Sequence, residues 1–276
     1  MRLRAELDWL CQAPDLLQPP PQFRVPDALR QPSPYQPCLT DPALPSWRLG
    51  RHFEDIVFQH LNYNTYVTDI KRNIQIKNQQ QTLGELDFLI CMAQQWVHLE
   101  VAVKLYLLDG PGAELSDFVG TRRDDCLATK WRRMLEHQLA LGAHPAARKA
   151  LAQMGISQRP QAALWIKGWL FYPFGTQLQT FPTPINPWHQ RGWWLTQSRL
   201  GQLAGHASHF LLPGKTDWLL PADLMHSPLF DLAGLQQQLR GTSRANLVVA
   251  IEHNPQGVLE ISRGFVVTDD WPEAGP

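Results

Sequence analysis

The chain has 276 residues, 44% apolar and 18% charged, which supplies a large core and excludes general disorder. Lysine plus arginine and aspartate plus glutamate both number 25, so no overall field draws the protein to nucleic acid or an anionic membrane. Cys11, Cys38, Cys91 and Cys126 are scattered without a C-x-x-C pair, which argues against a zinc ribbon or disulfide framework and reads as free thiols in a reducing compartment.

The opening "MRLRAELDWLCQAPDLLQ" breaks its apolar residues with charges, so it offers no signal-peptide core. No later stretch approaches the ~20 apolar residues of a membrane span. A cytoplasmic location is expected, with no membrane partner, and nothing in the sequence sets an oligomeric state. Prolines crowd the segment from Pro14 to Pro45, and proline fixes φ while removing ladder donors. Residues 1–45 are therefore expected to form a short helix and then an extended arm that wraps the fold.

"SWRLGRHFEDIVFQHLNY" places Phe53, Ile56, Val57, His60 and Leu61 on one helical face, with Ser46 as a candidate N-cap. "YVTDIKRNIQI", "TLGELDFLICM" and "QWVHLEVAVKLYLL" then read as three strands with short connections, a meander. "SDFVGTRRDDCLATKWRRMLEHQLALG" returns to helical spacing through Leu127, Trp131, Met134, Leu135, Leu139 and Leu141, with Gly142 as the stop. The strand "AALWIKGWLFYPF" follows and can return beside the third strand by a right-handed crossover. The order predicts a mixed α/β core over residues 46–175.

Beyond "PFGTQLQTFPTPINPWHQ" come strand-like "GWWLT", helical "QSRLGQLAGH" and strand-like "FLLPG". After these stand helical "LFDLAGLQQQLRG" and the strand-like runs "ANLVVAIEH" and "GVLEISRGFVVT". Residues 176–276 are expected to form an α/β extension packed on the core, with pairing that cannot be read.

The stretch "GELDFLICMAQQWVHLEVAVK", 84–104, concentrates the chemistry. Strand alternation puts Glu85, Asp87, Leu89 and Cys91 on one face of the second strand. On the third strand His98, Glu100, Ala102, Lys104 and Tyr106 share one face, and Leu99, Val101, Val103 and Leu105 the other. A two-residue turn at Gln94 and Gln95 would set Asp87 opposite Ala102; other same-face registers set it opposite Glu100 or Lys104. Each brings Asp87, Glu100 and Lys104 together. Two close carboxylates repel unless neutralised, and hard oxygen ligands suit Mg²⁺ or Mn²⁺. Such a cation activates water and stabilises charge on a phosphodiester.

"GELDFLI", followed thirteen residues after its Asp by the Glu of "HLEVAVK", resembles the Asp…Glu-x-Lys core of the PD-(D/E)XK nuclease superfamily. The preceding helix with Glu54, and the helix and strand that follow, match that superfamily's αβββαβ, restriction-endonuclease-like core over about 46–175. The whole chain resembles a bacterial family of unknown function placed among those folds. The resemblance implies that Asp87 and Glu100 ligate Mg²⁺ or Mn²⁺, that the Val101 carbonyl adds a ligand, that Glu54 supports the site and that Lys104 is the catalytic lysine. It implies a nuclease whose partner is nucleic acid, DNA in the first instance.

One residue departs from the pattern. Ala102 stands where the superfamily has its lysine, and Lys104 lies ~6.6 Å farther along at ~3.3 Å per residue. That departure motivates a second reading, a nuclease fold without catalysis that serves as a nucleic-acid or protein interaction module. A third makes the hairpin an ordinary solvated face with cross-strand ion pairs, each worth ~0.2–1 kcal/mol.

Other features are weaker. Glu54 also reads as an ordinary helix acid, and Glu85 as a supporting acid or strand-edge charge. Arg122, Arg123, Lys130, Arg132, Arg133 and His137 could neutralise phosphates or form a solvated face. Tryptophans such as Trp165, Trp169, Trp188, Trp193, Trp194 and Trp218 are expected mostly in the core. "PGKTDW" resembles a P-loop tail but lacks the first glycine, and His206 and His209 have no nearby acid or cysteine to complete a metal set.

Overall fold

The computed structural model describes residues 2–32, 48–78, 81–255 and 257–271. Ser46, Cys38 and residues 33–45 of the proline-rich segment lie outside the described residues.

Helix α1 (Arg2–Gln12) and helix α2 (Leu49–Tyr63) pack on one face of the sheet. Phe53, Ile56, Val57, His60 and Leu61 of α2 are buried, as their spacing predicts, because the helix must cover an apolar sheet face. Strands β1 (Val67–Asn78), β2 (Gln81–Met92) and β3 (Gln95–Leu108) form the antiparallel meander. The short β4 (Phe118–Val119) pairs with the end of β3. Next come α3 (Leu127–Arg133), one π-helical turn over Met134–Gln138, and α4 (Leu139–Leu141). Helix α5 (Pro145–Gln153), which the helical spacing before Gly142 does not announce, leads to β5 (Gln161–Pro173), parallel to β3.

The C-terminal part adds β6 (Gln190–Thr196), β7 (His209–Leu211), β8 (Leu229–Phe230), α6 (Leu232–Leu239), β9 (Asn246–Asn254) and β10 (Gly257–Val267). "QSRLGQL" is a 3-10 helix, Gln197–Leu203. The ten described strands make one mixed sheet in the order β1-β2-β3-β5-β6-β10-β9-β7-β8, with β4 beside β3. The sheet runs without a break from β5 into β6 and on to β10 through parallel pairs. No helix among the described residues is long and apolar enough to cross a membrane.

The described part of the N-terminal arm fills a gap in this sheet. Strand β6 meets β5 only from Trp169 onward, so the earlier edge of β5 is bare. There the Leu16 amide donates to the Ile166 carbonyl at 2.9 Å, and Leu17 bridges to Ile185. Leu16 and Leu17 are fully buried, which fixes the arm by apolar contact as well as by ladder bonds.

The turn joining β2 to β3 lies at Ala93 and Gln94, one residue earlier than the glutamine pair at 94–95. Both adopt left-handed conformations, φ 46° and 65°, the combination that matches strand twist in a two-residue hairpin. Met92 then pairs with Gln95 and Phe88 with Leu99, a register that sets Asp87 against Glu100.

Candidate functional site

The β2–β3 ladder stops where Asp87 meets Glu100. Its last pair is Phe88 with Leu99, whereas β3 continues on its other edge beside β5 as far as Leu107. Beyond that point side chains replace ladder bonds: the Val101 amide donates to Asp87 Oδ2 at 3.0 Å, and the Asp87 amide to Glu100 Oε1 at 3.4 Å. Strand β2 also turns over here. Phe88 and Ile90 pack with α2, whereas Leu86 joins Ile74 and Ile76 in the cluster with α5 residues Ala147 and Leu151, so strict alternation fails across Asp87. The neighbouring β1 carries Asn73 at φ 56° between its pairs to Phe88 and Leu86, the left-handed residue that lets both strands twist together.

The amide and carbonyl of one strand residue face the same edge. Since the Val101 amide points across the gap at Asp87, its carbonyl faces the gap too. Two carboxylates and one carbonyl therefore converge at the splay.

Glu100 is fully buried. Its Oε1 accepts from His98 Nε2 at 2.6 Å and its Oε2 from Gln138 Nε2 at 2.7 Å; Gln138 Oε1 accepts in turn from Lys130 Nζ at 3.1 Å. The π turn makes that chain of contacts. Residues eight apart on an α-helix sit about 80° apart around the axis, and one extra residue in the turn brings Lys130 and Gln138 onto one face. Gly142 closes the helix over the imidazole, because a Cβ there would lie 3.1 Å from His98 Nδ1.

Burial, and then the Glu100 charge, push the Asp87 carboxyl up to about 8; the Val101 amide opposes this, while Glu54 and Glu85 add to it. Glu54 is held by Arg51 at 2.8 Å, so α2 brings its acid into electrostatic reach of Asp87 without a direct contact. Burial, Lys104 and Arg133 lower the Lys130 ammonium, and Asp87 and Asp125 pull it back. Lys104 is lowered by burial and by Arg133, with Asp125 as its acid. Asp125 accepts from the Tyr106 hydroxyl at 2.8 Å, and burial with that bond raises the phenol. Asp87 thus acts on the Lys130 ammonium, whereas Lys104 has Asp125 as its acid.

Of these groups Glu85, Asp87, Lys130, Arg133 and Gln138 line a cleft of about 880 Å³ between β2 and the α3–α4 segment, with Arg132 beside them; Glu54, Glu100 and Lys104 do not line it. Arg122 and Arg123 do not join it; they pair with Asp124 and Asp109. Trp165, Trp169, Trp193 and Trp194 are core residues, while Trp188 is 82% exposed. His209 begins β7, and His206 bonds to Ser262 at 2.7 Å.

The register sets Asp87 against Glu100, as the strand faces predict, but of the expected trio Lys104 has Asp125 as its acid, and neither Gln138 nor the bond from His98 is among the residues the sequence points to. The His98–Glu100 spacing on one strand face was a signal for the second. A π turn leaves no comparable mark in apolar periodicity.

Among the described residues no three His, Cys, Asp or Glu side chains gather closely enough to hold a metal ion. The splay itself offers two carboxylates and a carbonyl, all hard oxygen donors, and a proton on Asp87 that a divalent cation would displace. That donor chemistry fits Mg²⁺ or Mn²⁺.

Fold and site together define a mixed α/β protein with an acid pair, one member fully buried and one partly, at a splay in its sheet. The chain belongs to the family described as Domain of unknown function (DUF1853), which matches residues 5–267. No curated protein and no solved structure matches it.

Proposed function

We propose that this protein is a nuclease-like phosphodiesterase on a restriction-endonuclease-like core of α2, β1–β3, α3 and β5. Asp87, Glu100 and the Val101 carbonyl would hold Mg²⁺ or Mn²⁺. The observation that carries this reading is the splay: two acids meet short of a full counter-charge, Glu100 fully buried and Asp87 lining a cleft walled by Lys130, Arg132 and Arg133. The element order, with three antiparallel strands and a parallel return beside the third, is what the superfamily resemblance implies.

A bound cation supplies water activation and charge stabilisation at the phosphate. The chain's own groups do the rest. Arg132 and Arg133 bind and orient phosphate oxygens as charge-assisted donors. Lys130 Nζ, lowered by its surroundings, holds or passes a proton beside Asp87. Gln138 fixes the Glu100 carboxylate against that ammonium, and Arg51 steadies Glu54. Lys104 with Asp125 and Tyr106 supports the site from behind.

A second reading, a nuclease fold that binds nucleic acid or protein without cutting, has one observation in its favour: both Glu100 oxygens are already engaged by His98 and Gln138. Cleavage of defined single-stranded, duplex and branched DNA with Mg²⁺ or Mn²⁺ separates the two. Wild type should cut, and Asp87→Ala should lose about a thousandfold or more, as removal of a preorganised electrostatic group does. Cleavage unchanged by Asp87→Ala contradicts the first reading, and DNA bound under each metal without cleavage establishes the second.

A further inference from the structure

We infer that the cleft takes a single nucleic-acid strand and not a duplex, an inference that rests on the nuclease reading above. Its two walls touch: Leu141 of α4 lies so close to β2 that a Cβ on Gly84 would meet its Cδ2 at 2.8 Å. At about 880 Å³ the space between them falls in the ~300–1,000 Å³ range that encloses a drug-sized ligand, room for a few nucleotides. Asp87, the acid of the pair that lines the cleft, is only partly exposed, so a phosphate has to descend between the walls to reach it. A phosphate in a duplex carries its base pair and the opposite strand with it, and walls in contact leave no passage for both.

The wall chemistry points the same way. Lys130, Arg132 and Arg133 supply cations for the phosphates of one backbone. Leu83, 37% exposed, and the exposed His137 line the same cleft and offer an apolar surface and a ring to the faces of unpaired bases. Stacked, paired bases would present no face to either.

The test is fluorescence anisotropy of the full chain with Ca²⁺ in place of Mg²⁺, so that the acid pair keeps a divalent cation, with a short labelled DNA strand and with the same strand annealed to its complement. The single strand should bind about tenfold or more tightly than the duplex, because only unpaired bases gain stacking contacts. Arg133→Glu, an exposed position, should weaken the single strand by about tenfold through a lost phosphate contact. Duplex binding as tight as single-strand binding overturns the inference and leaves the nuclease reading standing. If neither DNA binds, the nuclease reading falls and takes the inference with it.

Discussion

Two regions of this molecule bury charge in the same sheet, and they resolve it differently. Lys167 of β5 is 1% exposed, yet its ammonium donates to the Ala13 carbonyl, lies 3.0 Å from Asp15 and stands 5.6 Å from the Trp165 ring. Arg30 holds Asp15 from the other side at 2.6 Å. Burial lowers the lysine and Asp15 opposes this, so the ammonium has its counter-charge within the chain. Asp87 and Glu100 are instead two acids side by side, eased by an amide, an imidazole and a glutamine, and their repulsion with burial raises the Asp87 carboxyl to about 8. A buried charge that finds its counter-charge in the chain ties segments together, here the N-terminal arm to β5. A buried pair that does not find it is arranged for something from outside.

The contrast can be broken at either end. Lys167→Met removes one of the two cations on Asp15 and leaves the buried Ala13 carbonyl without its donor, and should destabilise the fold by about 1–3 kcal/mol, read from urea unfolding. A loss under about 1 kcal/mol would remove the structural role given to the arm's ion pair. Asp87→Asn should act in the opposite direction and only above a certain pH. The Asp87 carboxyl moves from its ordinary 3.8 to about 8 on folding, so between those values the native state holds a proton that the unfolded chain has released. Stability therefore falls as pH rises through that window, by a few kcal/mol at most once solvent access is allowed for. Asparagine keeps an acceptor for the Val101 amide and removes the titration. The variant should melt several degrees above wild type at pH 8 to 9 and together with it below about pH 4. Equal melting curves across the range would mean that the acid pair carries no buried repulsion.

Much of this arrangement was legible in the sequence. The α2 face, the meander, the parallel return of β5 and the face shared by His98, Glu100 and Lys104 all follow from apolar period and short connections. The register did not, because Ala93 and Gln94 make a left-handed turn without the glycine or asparagine that would mark it. The relation of Lys130 to Gln138 was hidden because a π turn shifts the helical phase by one residue, and apolar spacing alone reads straight through it. In the C-terminal part the strands were visible as runs, but β6 pairs in parallel with both β5 and β10 across long separations, and no local signal encodes such partners. The departure at Ala102 has a counterpart in the charges: Lys104 has Asp125 as its acid, while Lys130, on α3, bonds to Gln138 and through it reaches Glu100.

If the Asp87–Glu100 splay is built for a divalent cation, calorimetric titration of Mn²⁺ into wild type and Asp87→Asn at pH 8 will separate the two proteins. Wild type should show saturable binding with proton release, since the cation displaces the proton on Asp87, and the variant should lose both the binding and the release. No saturable binding to the wild type, or the same isotherm for both proteins, would contradict a cation site at the splay.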